Sequence, residues 1–524
     1  MARKRKSKRI DEFLRSRQQG QEAVLKDSAR QANLIFRIVV TVALLFLLLL
    51  LLNIGGKKEL LGQVGLAGIL AMVTALGVLV INRVQPTLFQ STAKFNQFVL
   101  LIVLTVILSW GMFEVNWSPF LLPLPALAMI AGLAYRSMVA ILLCGGVASY
   151  LALLQHATLD VDVRVDPFLL AVTLSLGAVV SVLGVRKVRK QSQPVLVGMR
   201  AGFVQALTVL CFKVMGTVPA SGGIDFFLRD PGYALIGGLI SGGVVTSLLP
   251  QIEKLFEVLT ERRLLELIDP SNKLLRVLRE RAPGTFQHTL GVQQLARDAT
   301  EAIGGNVLLA DAGAYYHDVG KIYKPDYFAE NMGKDKSIHD QLRPSMSKLI
   351  IMSHVKEGVI LAREEKLPQQ VIDMIPMHHG TTVVEFFYHK ARQEDSDEEE
   401  NSTEDTEYRY PGPKPTFPEA GVLMLADAVE AIAKSDDPAP ARFREIAGDV
   451  IRKRIFDGQL DECHLTMADL YKIEQSFEAT LTNMYHGRIE YPETEVMEKE
   501  EEEKPPAAAD PEPGPDTEAK MGAS

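Results

Sequence analysis

The feature that most limits this chain is the series of long apolar runs between residues 34 and 249. Crossing the hydrocarbon core of a bilayer takes about 20 helical residues, and a crossing segment must satisfy its own backbone hydrogen bonds. Eight segments meet or approach that length: residues 34–52, 60–81, 98–113, 119–133, 138–154, 167–185, 198–215 and 232–249. All are expected to be helices. The fourth is short and carries Pro123 and Pro125.

Loop charge sets the expected orientation. If the N-terminus is inside, the inner loops hold Arg83 and Lys94, then Arg136, then Arg186, Lys187, Arg189 and Lys190. The outer loops hold Glu114, the acidic stretch 160–166, and Asp225 with Asp230; only Lys57 and Lys58 run against this positive-inside pattern. Arg3, Lys4, Arg5, Lys6, Lys8 and Arg9 fit an N-terminus held inside the cell. Eight spans return the chain to the cytoplasm at Gln251. No ladder of intramembrane acids or bases suggests a transporter, and Lys213, deep in a span, is expected to snorkel. An anchor and a sensor remain equally open for this half.

The mean hydropathy of +0.10 averages two solvents. From residue 251 the pattern is amphipathic and helical, with little strand-like alternation. Helices are expected near 285–303, 306–317, 346–356, 368–377, 418–433, 441–457 and 466–486. The division read from composition is a basic N-terminus (1–33), a first span (34–53), a seven-helix membrane domain (54–250), a connector helix (251–270), an all-helical domain (271–492) with an acidic loop (394–407), and a disordered acidic tail (493–524). The fold class is therefore all-α, membrane helices followed by a cytoplasmic helical domain. Three cysteines without paired spacing exclude a disulfide framework and a structural zinc site. No Walker loop, Gly-x-Ser-x-Gly elbow or glycosidase-type acid pair is present.

Of ten histidines, nine lie in the C-terminal half. His288 follows Ala282-Pro283-Gly284-Thr285. His317-Asp318 precedes Gly320 and Lys321, His354 lies on a helix, and His378-His379 precedes Gly380-Thr381. Asp427 sits in the apolar run 422–431, where an unpartnered carboxylate would be costly. Imidazole and carboxylate suit iron, manganese or zinc. An Asp can bridge two ions, and two ions can clamp a phosphodiester and activate a water. Taken singly, each histidine is more often a packed or solvated side chain. One of His378 and His379 reads alternatively as an outer partner to the other; Asp427 is either an acceptor from an N–H or a metal ligand, and the company of the other candidates favours ligand.

The order His…His-Asp…His…His-His…Asp resembles the HD-domain metallophosphohydrolases. The segments 282–288, 313–321, 351–356, 378–382, 410–415, 424–431, 457–463 and 488–492 are more closely similar to the PgpH-type membrane HD proteins. The similarity covers nearly all of residues 251–492, and the seven later spans fit that family's topology. The resemblance implies an HD metallohydrolase of the bacterial inner membrane, with its N-terminus and HD domain cytoplasmic. It implies hydrolysis of cyclic di-AMP to pApA at two divalent ions, manganese or iron. His288, His317, Asp318 and Asp427 would hold one ion, and His354, His378 and His379, bridged by Asp318, the other. Lys321 would contact a substrate phosphate and serve catalysis with Asp318; Thr381 would be a further substrate contact. The implied partners are a cyclic dinucleotide, the lipid bilayer and a second copy of the chain, with no nucleic acid polymer. Members usually carry a large extracellular domain after the first span, where this chain has only residues 53–59. A cyclic di-GMP enzyme would show Gly-Tyr-Pro soon after the paired histidines, and here Gly-Thr-Thr-Val-Val follows. The broader HD superfamily adds nucleoside-triphosphate and alarmone hydrolases. A silent nucleotide receptor is the reading from another class.

Overall fold

A computed structural model describes residues 91–159, 165–215, 223–332, 338–395, 404–436 and 440–486, with part of 77–85. The basic N-terminus, the first span, most of the second, most of the acidic loop and the tail lie outside the described residues. Among the described residues every named element is a helix or a 3-10 turn, with one isolated antiparallel bridge between Val383 and Arg409. The all-α expectation is met. The chain divides into two units, residues 1–286 with 311–376, and 287–310 with 377–524.

The first unit contains the described membrane helices: α1 (Thr92–Glu114), α2 (Leu124–Ala134), α3 (Ser137–Thr158), α4 (Pro167–Gly184), α5 (Gln193–Val214) and α6 (Gly223–Phe256). Side chains start several of them. Ser91 caps α1, and Asp166 accepts from the Leu169 amide at 2.9 Å with Pro167 in the first turn of α4. Among the described residues five helices are long and apolar enough to cross a membrane, and the protein is a multi-pass membrane protein. The segment at 119–133 departs from expectation. It is a 3-10 turn, Pro119–Leu121, followed by the 11-residue α2. At 1.5 Å per residue α2 rises only about 16 Å, half a bilayer core. Pro123 and Pro125 break the run, and Leu124, Leu127, Ala128 and Met129 are buried among the longer helices.

Helices α5 and α6 meet through glycine. A Cβ built on Gly238 would lie 2.3 Å from the Gly198 carbonyl oxygen, and one on Gly198 2.3 Å from that of Gly238. Only a residue without a side chain lets the two backbones approach so closely. Lys213 Nζ pairs with Asp230 at 2.8 Å, the lysine side chain being 3% exposed. A partner on the neighbouring helix offsets the cost of burial that snorkelling would otherwise avoid.

The expected connector is two pieces. Helix α6 has 34 residues, about 50 Å of rise, and so outruns the bilayer. It stops before Glu257, which takes a φ of +52°. The short α7 (Glu261–Leu267) follows, capped by Thr260, with Leu264 and Leu267 buried. Polar contacts pin α7 to the loop between α4 and α5 and to the end of α6. The Arg262 amide donates to the Val188 carbonyl at 2.9 Å, Arg189 pairs with Glu261 at 2.6 Å, and Arg262 pairs with Glu253 at 2.9 Å. Then come α8 (Lys273–Arg281), which the sequence reading passed over, the start of α9 (Pro283–Ala302), and most of α10 (Val307–Tyr316). This unit ends with α11 (Pro344–Glu364) and most of α12 (Gln369–Met377).

The second unit holds most of α9, with α13 (Glu385–Asp395), α14 (Pro418–Asp436), α15 (Phe443–Phe456) and α16 (Met467–His486). Its centre is α14, whose Val422, Leu423, Met424, Leu425, Ala426 and Val429 are buried; α14 packs on α15, and α15 on α16.

Replacing Gly238 by Val is expected to cost about 1–3 kcal/mol by forcing α5 and α6 apart. Thermal unfolding of the full chain in detergent should show a lowered midpoint. Gly243→Val, where a Cβ meets nothing within 4 Å, is the control that should leave it nearly unchanged.

Candidate active site

In the first unit the site residues are delivered by the end of α10 and by α11. Helix α10 closes on Tyr316, fully buried, whose hydroxyl donates to the Leu267 carbonyl at 2.8 Å. His317 and Asp318 follow at once, then the 3-10 turn Val319–Tyr323 that carries Lys321. His354 comes from the middle of α11. The turn and α11 lie so close that a Cβ on Gly320 would sit 1.9 Å from the His354 carbonyl oxygen and 2.6 Å from the Gly358 nitrogen. Gly320 is therefore what lets His354 approach Asp318.

The Asp318 carboxylate is divided between two imidazoles. Oδ2 is 3.2 Å from His317 Nε2, and Oδ1 is 3.3 Å from His354 Nε2. Both rings have their tautomer fixed from behind. His317 Nδ1 is 2.7 Å from the Ala314 carbonyl, and His354 Nδ1 is 2.6 Å from the Ile351 carbonyl. A carbonyl only accepts, so each Nδ1 carries the proton and each Nε2 of a neutral ring presents a lone pair. Burial pushes the His354 pKa down, against the pull of Asp318. Burial also opposes the charge on Asp318, but Lys321, His317 and His354 outweigh it and hold the carboxyl well below its usual range. Two imidazole nitrogens thus face the Asp318 carboxylate at little more than 3 Å. Such a donor set fits divalent cations lying between its members.

Lys321 is held by two acids. Its Nζ lies 2.7 Å from Asp318 Oδ2 and 2.7 Å from Glu330 Oε1, over the Phe328 ring at 4.9 Å. The ammonium has three N–H donors, so one remains after both carboxylates are served. Glu330 in turn accepts from Thr285 Oγ1 at 2.9 Å, and Asn331 Oδ1 accepts from the Thr285 amide at 3.1 Å. A Cβ on Gly284 would fall 1.9 Å from the Glu330 carbonyl oxygen, which explains the glycine of the Ala-Pro-Gly-Thr segment.

The second unit carries the remaining candidates. His288 Nδ1 hydrogen-bonds Glu430 Oε2, and its Nε2 lies 3.0 Å from Asp427 Oδ1. His378 and His379 are neighbours with ring centroids 3.9 Å apart, and His379 stacks on Tyr410 at 4.2 Å and 18°. The Thr381 amide donates to Gln459 Oε1 at 2.9 Å, and its hydroxyl accepts from Gln459 Nε2 at 2.9 Å. Glu330, Tyr410, Glu430 and Gln459 escaped the sequence reading. Glu430 alone left a signal, standing three residues after Asp427 on the same face of an apolar helix. His339 takes the opposite ring orientation, its Nε2 facing the Tyr327 carbonyl at 2.8 Å.

Residues 60–260 match the family described as 7TM receptor with intracellular HD hydrolase, and residues 285–432 match the HD domain. In that order the two stretches resemble the membrane and HD parts of the seven-transmembrane HD hydrolases. It is 34% identical over 405 residues to the cyclic-di-AMP phosphodiesterase PgpH of Bacillus subtilis, a match covering 75% of this chain and 54% of that protein. It is 34% identical over 325 residues to the protein of the same description from Listeria monocytogenes, covering 62% of this chain and 44% of that one. The chain thus spans about half the length of these relatives. The crystal structure of the L. monocytogenes PgpH HD domain in complex with cyclic-di-AMP is 38% identical and covers 41% of this chain and 100% of that one, with a TM-score of 0.40.

Two outcomes are expected from this geometry. Gly320→Ala should push α11 off the Asp318 turn, costing about 1–3 kcal/mol or more. Calorimetry should show a lowered midpoint, and equilibrium dialysis weakened manganese binding. Glu330→Gln should cost about 1–3 kcal/mol at neutral pH by stripping Lys321 of one partner. Burial works against the Glu330 charge, but Lys321 lowers its pKa below the usual 4.5. That stabilisation is present above the unfolded value and lost as pH falls through the folded one. Chemical unfolding of metal-free protein should find wild type and variant converging in acid.

Proposed function

We propose that this chain is a membrane-bound, metal-dependent phosphodiesterase that hydrolyses cyclic di-AMP to pApA. The observation that carries this reading is the Asp318 carboxylate, one oxygen facing His317 Nε2 and the other His354 Nε2, with Lys321 alongside. The curated relatives described as cyclic-di-AMP phosphodiesterases supply the substrate.

His288, His317, Asp318 and Asp427 would hold one divalent ion, and His354, His378 and His379 a second, with Asp318 shared; manganese and iron fit this nitrogen and oxygen set. Bound there, the ions would supply Lewis acidity and a water activated at neutral pH. The chain's own groups do the rest. Lys321 has one N–H left for a phosphate oxygen and so offsets charge that builds at phosphorus. Glu330 and Phe328 hold the ammonium where that N–H can serve. Glu430 keeps the proton of His288 on Nδ1, leaving Nε2 as the ligand. Thr381 stands close enough in sequence to the paired histidines for a substrate contact, though its hydroxyl is already engaged by Gln459.

The loop charges support a cytoplasmic N-terminus and a cytoplasmic HD domain over residues 271–492, in the inner membrane of a bacterial cell. The partners in this reading are the cyclic dinucleotide, the lipid bilayer and a second copy of the chain.

The purified full chain, loaded with manganese, should convert cyclic di-AMP to pApA and leave cyclic di-GMP largely untouched. Asp318→Ala should abolish turnover. A folded, metal-loaded protein that cleaves neither dinucleotide would sink the substrate assignment, and preferential cleavage of cyclic di-GMP would transfer it to the other messenger.

A further inference from the structure

The paired histidines stand on a turn of unusual backbone shape. Gly380 has a φ of +55°, the left-handed region that favours glycine, and a Cβ there would meet Gln459 Oε1 at 2.6 Å. The Thr382 amide and hydroxyl both return to the His379 carbonyl, at 3.1 and 2.8 Å. The direction of the two imidazoles therefore depends on what holds residues 380–382.

Two other segments of the same unit hold them. The first is the turn that ends α15. Gln459 is fully buried, and its side-chain amide is spent on this task. Oε1 accepts from the Thr381 amide at 2.9 Å, while Nε2 donates to Thr381 Oγ1 at 2.9 Å and to Asp457 Oδ2 at 2.9 Å. Gly458, at φ +64°, turns the chain between them. The second is the pair Arg409-Tyr410, just after the 3-10 turn Asp405–Tyr408. The Tyr410 amide donates to the Thr382 carbonyl at 2.9 Å, and Arg409 Nη1 to the Thr381 carbonyl at 2.9 Å. Asp457 pairs with Arg409 at 3.0 Å, joining the two segments. Thr381 thus has its amide, carbonyl and hydroxyl all held by Gln459 and Arg409.

We infer that Gln459 is a positioning residue for divalent-cation binding, fixing the His378-His379 turn through Thr381 without touching substrate. This rests on the reading of His378 and His379 as ligands. A buried primary amide is costly unless its donor and acceptor groups are used, and here both are used on the turn behind the candidate ligands. It also gives Thr381 a different part, as the handle by which the turn is held. A shift of the turn by a fraction of an ångström would misdirect two donors at once. Outer partners of metal-ligating histidines are typically worth about 10–100-fold in metal affinity.

The test is manganese binding to the full chain in detergent, by equilibrium dialysis with elemental analysis, well below the unfolding transition. Wild type should bind two ions, and Gln459→Ala should bind one of them about 10–100-fold more weakly while keeping the other. Thr381→Val, which removes only the hydroxyl and keeps the bulk, should weaken the same ion to a smaller degree, and Thr381→Ser should restore it. Thr381→Val and Thr381→Ser carry the comparison if Gln459→Ala does not fold. A lowered melting point with both affinities unchanged in the folded variants would mean that Gln459 only stabilises the fold, and would overturn the inference while leaving the metal assignment intact. A wild-type protein that binds no manganese or iron would overturn both.

Discussion

The carboxylate of Asp318 is the group on which the candidate chemistry depends. It lies buried, and burial alone would drive it to take up a proton. Lys321 and the two imidazoles reverse that, so the acid stays ionised where water is scarce. Everything around it can be read as support for that one charge. Gly320 brings α11 near enough for His354 to reach it. Glu330 shares the ammonium of Lys321 and takes a hydrogen bond from Thr285, so the Ala-Pro-Gly-Thr segment is tied into the same set of contacts. The carbonyls of Ala314 and Ile351 fix the proton on the far side of each ring. Three residues apart on its helix, each carbonyl is supplied by the local helical geometry that also places its histidine.

The membrane half obeys a different constraint. There is no solvent to reward burial of apolar groups within a bilayer, so close backbone approach and paired charges do the holding. Gly198 against Gly238 is the first of these, and Lys213 against Asp230 the second. The short α2 is tolerated because it is surrounded by longer helices and its apolar side chains are buried among them.

Much of this was legible in the sequence because it is written in local pattern. Apolar runs mark five long helices, and periodicity marks α9, α10, α11, α14, α15 and α16 to within a few residues, although α11 extends well past its expected end. The histidines and aspartates were legible because their chemistry is unusual for helices otherwise built of apolar and small residues. What escaped depends on contacts between distant segments. Glu330, Tyr410 and Gln459 are ordinary residue types whose chemistry alone announces no site, and only folding brings them to Lys321, His379 and Thr381. The partner of Lys213 was hidden for the same reason. The break of the fourth segment was local and legible, written in its short length and in Pro123 and Pro125.

Glu257 places a left-handed residue between the last membrane helix and α7. A continuous helix would carry twist from one end to the other as a rigid shaft does. At Glu257 the ladder of backbone hydrogen bonds is interrupted, so α6 and α7 are not one shaft. What ties them is polar contact: Arg262 holds Glu253 and the Val188 carbonyl on one side, while the Leu267 carbonyl at the far end of α7 accepts the Tyr316 hydroxyl. The junction therefore joins α6 to α7 by side-chain pairs in place of an unbroken backbone ladder, and α7 in turn meets the residue just before His317.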